Sequence, residues 1–454
     1  LFCAPEAKVG WKEIAVSSKP FDLSVLILTF LLAGQAIPSP AQANHTLNDN
    51  LPSSISSTRP PTSSAAVSFD RFELWTGGTR LRGANIWQRV VVPSLDGPEF
   101  LGNDHVGPPY IQADFDRLAA LGANYVNVSG PGLFTERPPY VLDKAVQANL
   151  DNVLSMIAQA DMFAVITFRT GPGRSDFTFY EEPVAKGGDP SRVIDDVWVD
   201  QAAQDAWVEM WRYTAARYRD NPIVVGYDLM CEPNAPGRLL DIWDGDTFYQ
   251  KYAGTLYDWN QLYPRVVEAI REVDPDTPIL IGAMGWSAVS WLPYLKPVSD
   301  TRTVYMVHQY EPQDSYTQQA PSGKNTYLGT FDLNWDNKPD QFNNDWLDQM
   351  LTTVDAFKEK YGVPVGVNEF GLMRWVPNGA AYMRDLMKLF EKRGMNHALW
   401  VFNPAWAPFA QNDDFNSLHG PDPNNHSNVA NSKLIEVIRA AWELNTIRPS
   451  NVGR

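Results

Sequence analysis

Between residues 81 and 444 the sequence keeps repeating one pattern: a short apolar run, then a longer amphipathic one. The apolar runs are "LRGANI" (81–86), "NYVNVS" (124–129), "FAVITF" (163–168), "IVVGYDLM" (223–230), "PILIGA" (278–283), "TVYMVHQ" (303–309), "PVGVNE" (364–369) and "HALWVF" (397–402). Short runs of this kind suit strands covered on both faces. The runs between them have helical periodicity, as in "QADFDRLAALG" (112–122), "QDAWVEMWRYTAARY" (204–218) and "DWLDQMLTTVDAFKEKYG" (345–362). After the fifth strand only "AVSWLPYL" (288–295) stands in for a helix, and "SKLIEVIRAAWEL" (432–444) ends the series. Strands each followed by a helix pair in parallel through right-handed crossovers. Eight such units close a barrel whose interior is filled by side chains. An open doubly wound sheet would carry a glycine-rich phosphate turn after its first strand, and "LRGANIWQRV" has none. The expected fold class is therefore α/β, a (β/α)8 TIM barrel in one domain over 68–446 with long βα loops. "FDRFELWTGGTRLRGANIW" (69–87) alternates around Gly77-Gly78 and predicts an N-terminal hairpin before the first strand.

Upstream, Lys8, Lys12 and Lys19 precede an apolar stretch from Leu23 to Ala36, and Ala41-Gln42-Ala43 offers a small-x-small cleavage site. This reads as a signal peptide over 1–43 and a secreted product. The alternative is an uncleaved anchor, but the stretch is short against the roughly 20 residues of a spanning helix. Residues 44–67, rich in Ser, Thr and Pro, read as a tether, and 447–454 as a tail. The net charge of −16 argues against a nucleic-acid or anionic-membrane partner. Cys3 and Cys231 are the only cysteines, so there is no disulfide framework, and the six histidines lack zinc-type spacing. No metal or cofactor is expected. Nothing in the sequence sets the oligomeric state.

In such a barrel the functional residues stand at the C-terminal ends of the strands. Those ends carry Trp87, Asn127, Arg169, Glu232, Met284 to Trp286, His308, Tyr310, Glu369 and Trp400. Two are carboxylates, Glu232 and Glu369, on strands four and seven, which lie across the mouth from each other. A lone glutamate there reads equally well as a salt-bridged rim residue. Two that face each other suit cleavage of a glycosidic bond, one protonated and one ionised, provided their surroundings separate the two pKa values.

The motifs around these residues resemble those of glycoside hydrolase family 5, the cellulase family. "GYDLMCEPN" and "PVGVNEFG" resemble its acid/base and nucleophile motifs, "YMVHQYEP" its His-x-Tyr signature, "HALWVF" its tryptophan strand and "RLRGANIW" its opening strand. The resemblance spans roughly 69–445 and implies a retaining double displacement. Glu232 would be acid then base and Glu369 the nucleophile. Tyr310 would bond Glu369, His308 would line the cleavage subsite, and Trp400 would floor it. Trp87 and Trp286 join the expected substrate-binding set.

The chain departs from the family at two points. Cys231 stands where an asparagine ordinarily binds the sugar's 2-hydroxyl, and a thiol is a weak donor and acceptor. Asn127 stands where an arginine is expected. Arg169, one strand over, could reach that space and hold Glu369 ionised, or could merely pin the loop after it. The loops 170–199, 311–344 and 403–430 carry Phe177, Phe179, Tyr180, Tyr316, Tyr327, Trp335 and Trp406, which could stack on sugar rings or form loop core. The expectation is a secreted retaining glycosidase cleaving a β-linked polysaccharide or oligosaccharide, β-glucan before mannan. A weakly catalytic carbohydrate-binding relative and a transglycosylase are the alternatives.

Overall fold

In the computed structural model, which describes residues 69–96, 100–179, 189–333 and 336–452, all eight apolar runs become strands. They are β1 (Arg82–Trp87), β2 (Tyr125–Gly130), β3 (Phe163–Phe168), β4 (Val224–Asp228), β5 (Ile279–Gly282), β6 (Thr303–Gln309), β7 (Val365–Phe370) and β8 (His397–Leu399). Every pairing is parallel, and β1 bonds both β2 and β8, so the sheet closes into a barrel. The eighth strand is shorter than its apolar run, ending at Leu399.

Around the barrel lie α1 (Gln112–Ala120), α2 (Lys144–Gln159), α3 (Gln201–Tyr218), α4 (Trp259–Arg271), α5 (Asn344–Tyr361), α6 (Gly379–Lys392) and α7 (Lys433–Trp442). Most start where a short polar side chain takes the first free backbone N–H groups. Asp143, Asp200, Asp258, Asn343 and Ser432 cap α2, α3, α4, α5 and α7 in this way. After β5 the crossover is only a 3-10 helix, Val289–Tyr294. Among the described residues no helix is long and apolar enough to cross a membrane.

The barrel interior is layered. At the bottom Leu74, Trp75, Tyr125, Phe163, Val165, Val225, Leu280, Val304 and Met306 form an apolar plug. Above it lies a buried polar layer. Asn127 donates to Asn85 at 2.7 Å, Thr167 donates to Asn127 at 2.6 Å, and Thr167 and Asn368 donate to Asp228. The catalytic-face residues sit on top of that layer.

The N-terminal hairpin is not formed. Glu73–Thr76 is one helical turn, and its adjacent Leu74 and Trp75 are both buried in the plug. Trp75 Nε1 donates to Val225 O at 2.9 Å, so the turn seals the barrel bottom where an alternating strand could not place two neighbours inward. Residues 447–452, read as a tail, lie on the same end: Ile447 and Val452 pack against the plug, and Ser450 bonds Asp161. The signal and tether segments, Tyr180 and Trp335 lie outside the described residues.

If the turn closes the barrel, Trp75→Ala should cost about 3–5 kcal/mol of unfolding free energy, as for other buried aromatics. Urea denaturation of the variant checks this.

Candidate active site

Glu232 follows β4 on backbone that is bonded at almost every residue. Trp207 and Trp211 of α3 both donate their indole N–H to Leu229 O, at 3.2 and 2.8 Å. Cys231 N donates to Phe168 O, and Trp286 N to Pro233 O. Glu232 itself has φ +50°, the left-handed region that costs a side-chain-bearing residue on the order of 1 kcal/mol or more. Glu369 is placed by an irregularity in β7. The register with β6 shifts between Val367 and Glu369, as an extra residue in one strand produces. Asn368 can then bond Asp228 inside the barrel while its neighbour Glu369 faces the site.

The two carboxylates meet over one imidazole. An oxygen of Glu232, an oxygen of Glu369 and a ring nitrogen of His308 all lie within 4.8 Å of one another. His308 Nδ1 is 2.8 Å from Glu232 Oε1 and 3.4 Å from Glu369 Oε2. Tyr310 Oη donates to Glu369 Oε2 at 3.1 Å, and Cys231 Sγ to Glu369 Oε1 at 3.4 Å. Arg169 Nη1 stands 3.9 Å from Glu369 Oε1, while Arg169 Nε holds Asp176 at 2.9 Å. Both readings of Arg169 thus have a contact: it faces Glu369, and it ties down the loop. Its guanidinium also lies over Phe179 at 3.9 Å and Trp400 at 5.2 Å.

Burial raises the Glu369 carboxyl above the usual range, against the opposing charges of His308 and Arg169. Burial by itself would lower His308, but the charge of Glu369 and the bond to Glu232 raise it to about 9. The two carboxylates thus favour the imidazolium form of His308. The same three atoms are close enough to hold a cation, which would have to displace any proton on the His308 nitrogen it used.

Other expected site residues are placed differently. Asn127 is fully buried within the polar layer, bonded to Asn85 and Thr167, and offers no surface to a sugar. Its residue type explains this: the side chain is too short to climb out of the barrel, and its neighbours satisfy it there. Trp87 is 7% exposed and stacks on Phe409, so it packs the rim. Cys231 is 1% exposed and spends its proton on Glu369. Tyr316 and Tyr327 are loop core, wedged with Phe342 against Tyr382. Phe177 is buried beneath Arg89. Trp286 is half-buried and stacks at 5.2 Å on Trp243, which is 55% exposed.

Three residues near the site were not singled out in the sequence. Asp228 precedes Glu232 by four residues, and burial raises its carboxyl to about 7. Asp176 neutralises Arg169. Arg174 is fully buried and donates from both ends of its fork to the carbonyls of Cys231 and Glu232, at 2.6 and 2.8 Å. The turn "GPGR" (171–174) was the one available signal for the last.

The model for "Cellulase (glycosyl hydrolase family 5)" matches residues 92–405. Among curated proteins, Endoglucanase 3 of Fibrobacter succinogenes is 25% identical over 192 residues, 36% of this chain. A probable glucan 1,3-beta-glucosidase A of Aspergillus fumigatus is 26% identical over 237 residues, 51% of this chain. The aligned stretches span 27% and 49% of those two proteins' own lengths. Thermotoga maritima Cel5A in complex with a mannotriose substrate superposes with TM-score 0.55 at 19% identity, covering 81% of this chain and all of that one. A structure described as an endoglucanase gives TM-score 0.54 at 17% identity, covering 83% of this chain and 100% of its own. At such identities these likenesses show the barrel fold.

The charge arrangement sets a pH dependence. Replacing His308 by Gln removes the cation that favours ionised Glu369, so the acid limb of kcat/KM on an aryl β-glycoside should move to higher pH. Paired pH–rate profiles check it, and an unmoved limb contradicts this role for His308.

Proposed function

The chain belongs to glycosyl hydrolase family 5, a family of retaining glycosidases, and from that premise we propose that it cleaves a β-linked polysaccharide or oligosaccharide by double displacement. The observation that carries this reading is the meeting of the Glu232 and Glu369 carboxylates within 4.8 Å. Retaining enzymes keep their carboxyl groups about 5–5.5 Å apart, and inverting ones leave room for a water at about 6.5–9.5 Å.

In the first step Glu369 attacks the anomeric carbon. The bond to the leaving-group oxygen breaks as Glu232 gives that oxygen its proton, and a glycosyl ester forms on Glu369. In the second step Glu232 takes a proton from water, the water oxygen bonds the anomeric carbon, and Glu369 departs as carboxylate. Tyr310, Cys231, Arg169 and His308 all face Glu369 and stabilise the charge that returns to it. Trp400, half-buried beside Arg169, supplies the apolar face beneath the ring.

A β-glucan is the first substrate proposed and a mannan the second. The glucan reading is supported by the names of the matched relatives, and the mannan reading by the mannotriose held by the Thermotoga maritima protein. Action outside the cell, after removal of the N-terminal segment, belongs to the same proposal and rests on the sequence pattern of residues 1–43 alone. One observation favours a weakly catalytic second reading. The proton of Cys231 is committed to Glu369, so this side chain has no donor left for a sugar hydroxyl.

A 2-fluoro β-glycoside with an activated leaving group should label Glu369 covalently, as mass spectrometry of a peptide digest would reveal. Glu369→Gln should abolish labelling and turnover, and Glu232→Gln should lower turnover of unactivated substrates by about 10²–10⁴-fold. Sugar binding with no labelling and no turnover would favour the second reading.

A further inference from the structure

Arg174 is a buried charged side chain that the double displacement leaves unused. It is 0% exposed. Among the described residues it makes no ion pair with a carboxylate, and its Nε has no hydrogen-bond partner. Burial lowers its pKa to about 10, against the nearby charge of Asp195. It remains charged at neutral pH. Its charge is held by hydrogen bonds to backbone carbonyls.

Its two polar ends both go to the backbone of the acid. Nη1 donates to Cys231 O at 2.6 Å and Nη2 to Glu232 O at 2.8 Å. These carbonyls flank the one residue of the catalytic pair whose backbone is left-handed. The planar fork fixes both peptide planes together, which a single ammonium cannot do. The loop is shaped to deliver it. Gly171 and Arg174 bond each other's backbone, and Gly173 has φ +70°. A Cβ at Gly173 would come within 2.7 Å of Val197 N and of Ala203 Cβ. The face of Phe179 lies 4.8 Å from the guanidinium and closes one side.

We propose that Arg174 is a positioning residue for the acid/base step, clamping the strained backbone at Glu232 so that its carboxyl is aimed at the glycosidic oxygen. This rests on the reading of Glu232 as acid/base. It sets Arg174 apart from a residue that merely secures a loop. A loose loop would slow every substrate alike, whereas a misaimed acid slows only those whose leaving group needs a proton.

The test is kcat/KM on two aryl β-glycosides of one sugar, phenyl and 2,4-dinitrophenyl, for wild type, Arg174→Met, Arg174→Lys and Glu232→Ala. Arg174→Met should lose at least about ten-fold more on the phenyl glycoside than on the dinitrophenyl one. Arg174→Lys, which restores one of the two bonds, should fall between it and wild type. Equal losses on both substrates, or no loss on either, would overturn the proposal, provided Glu232→Ala shows the leaving-group dependence. If Glu232→Ala shows none, the acid/base reading fails and this inference with it. Should Arg174→Met not fold, the lysine variant is compared on the same two substrates, and equal losses there overturn the proposal in the same way.

Discussion

Two carboxylates held within 4.8 Å of each other repel, and the top of the barrel is organised around that repulsion. At an effective dielectric constant near 20 two unit charges at that distance oppose one another by about 3.5 kcal/mol. The structure meets the cost with an imidazolium between them and with a tyrosine hydroxyl, a thiol and a guanidinium around Glu369. Glu369 is the more enclosed of the pair, and burial raises its carboxyl. His308 and Arg169 oppose that effect. Glu232 is less enclosed, with 14% of its side chain exposed against 4% for Glu369. Attack requires Glu369 ionised, and it is the charges of His308 and Arg169, not its enclosure, that favour that form.

Close approach also demands stiff backbone. β7 supplies it with a register shift that turns Asn368 and Glu369 to useful directions in succession. On the β4 side the chain has left the sheet by Glu232, and stiffness comes from outside it: two indoles of α3, the backbone of the β5 loop and the fork of Arg174. Beneath both lies the layer of Asn85, Asn127, Thr167, Asp228 and Asn368, whose hydrogen bonds tie β1, β2, β3, β4 and β7 together under the site. The plug below contributes mainly apolar burial, with the Trp75 indole bonded to Val225 O.

The barrel was legible because each strand is a short, mostly apolar run and each helix is apolar on one face, so period and order alone led to eight parallel units. Glu232 and Glu369 were legible because a charge at the end of a buried run has few structural excuses. What escaped the sequence depended on direction. Leu74 and Trp75 read as part of an alternating strand, but both turn inward on a single helical turn. Asn127 has the right strand position for the mouth, but its side chain is taken by Asn85 and Thr167 below. Arg174 comes from a loop five residues past Arg169, and only the turn geometry shows that it reaches under Glu232. Tyr316 and Tyr327 could not be assigned to sugar or to core without the packing of Phe342 and Tyr382.

Two carboxylates that act in sequence on one anomeric centre leave a stereochemical signature. Proton NMR of a β-linked oligosaccharide during the first minutes of hydrolysis, before mutarotation, reads the configuration of the newly formed reducing end. Double displacement through Glu369 predicts the β anomer first. An initial α anomer would mean that water attacks directly and that Glu369 is not the nucleophile, which would contradict the pairing of Glu232 and Glu369 proposed for this site.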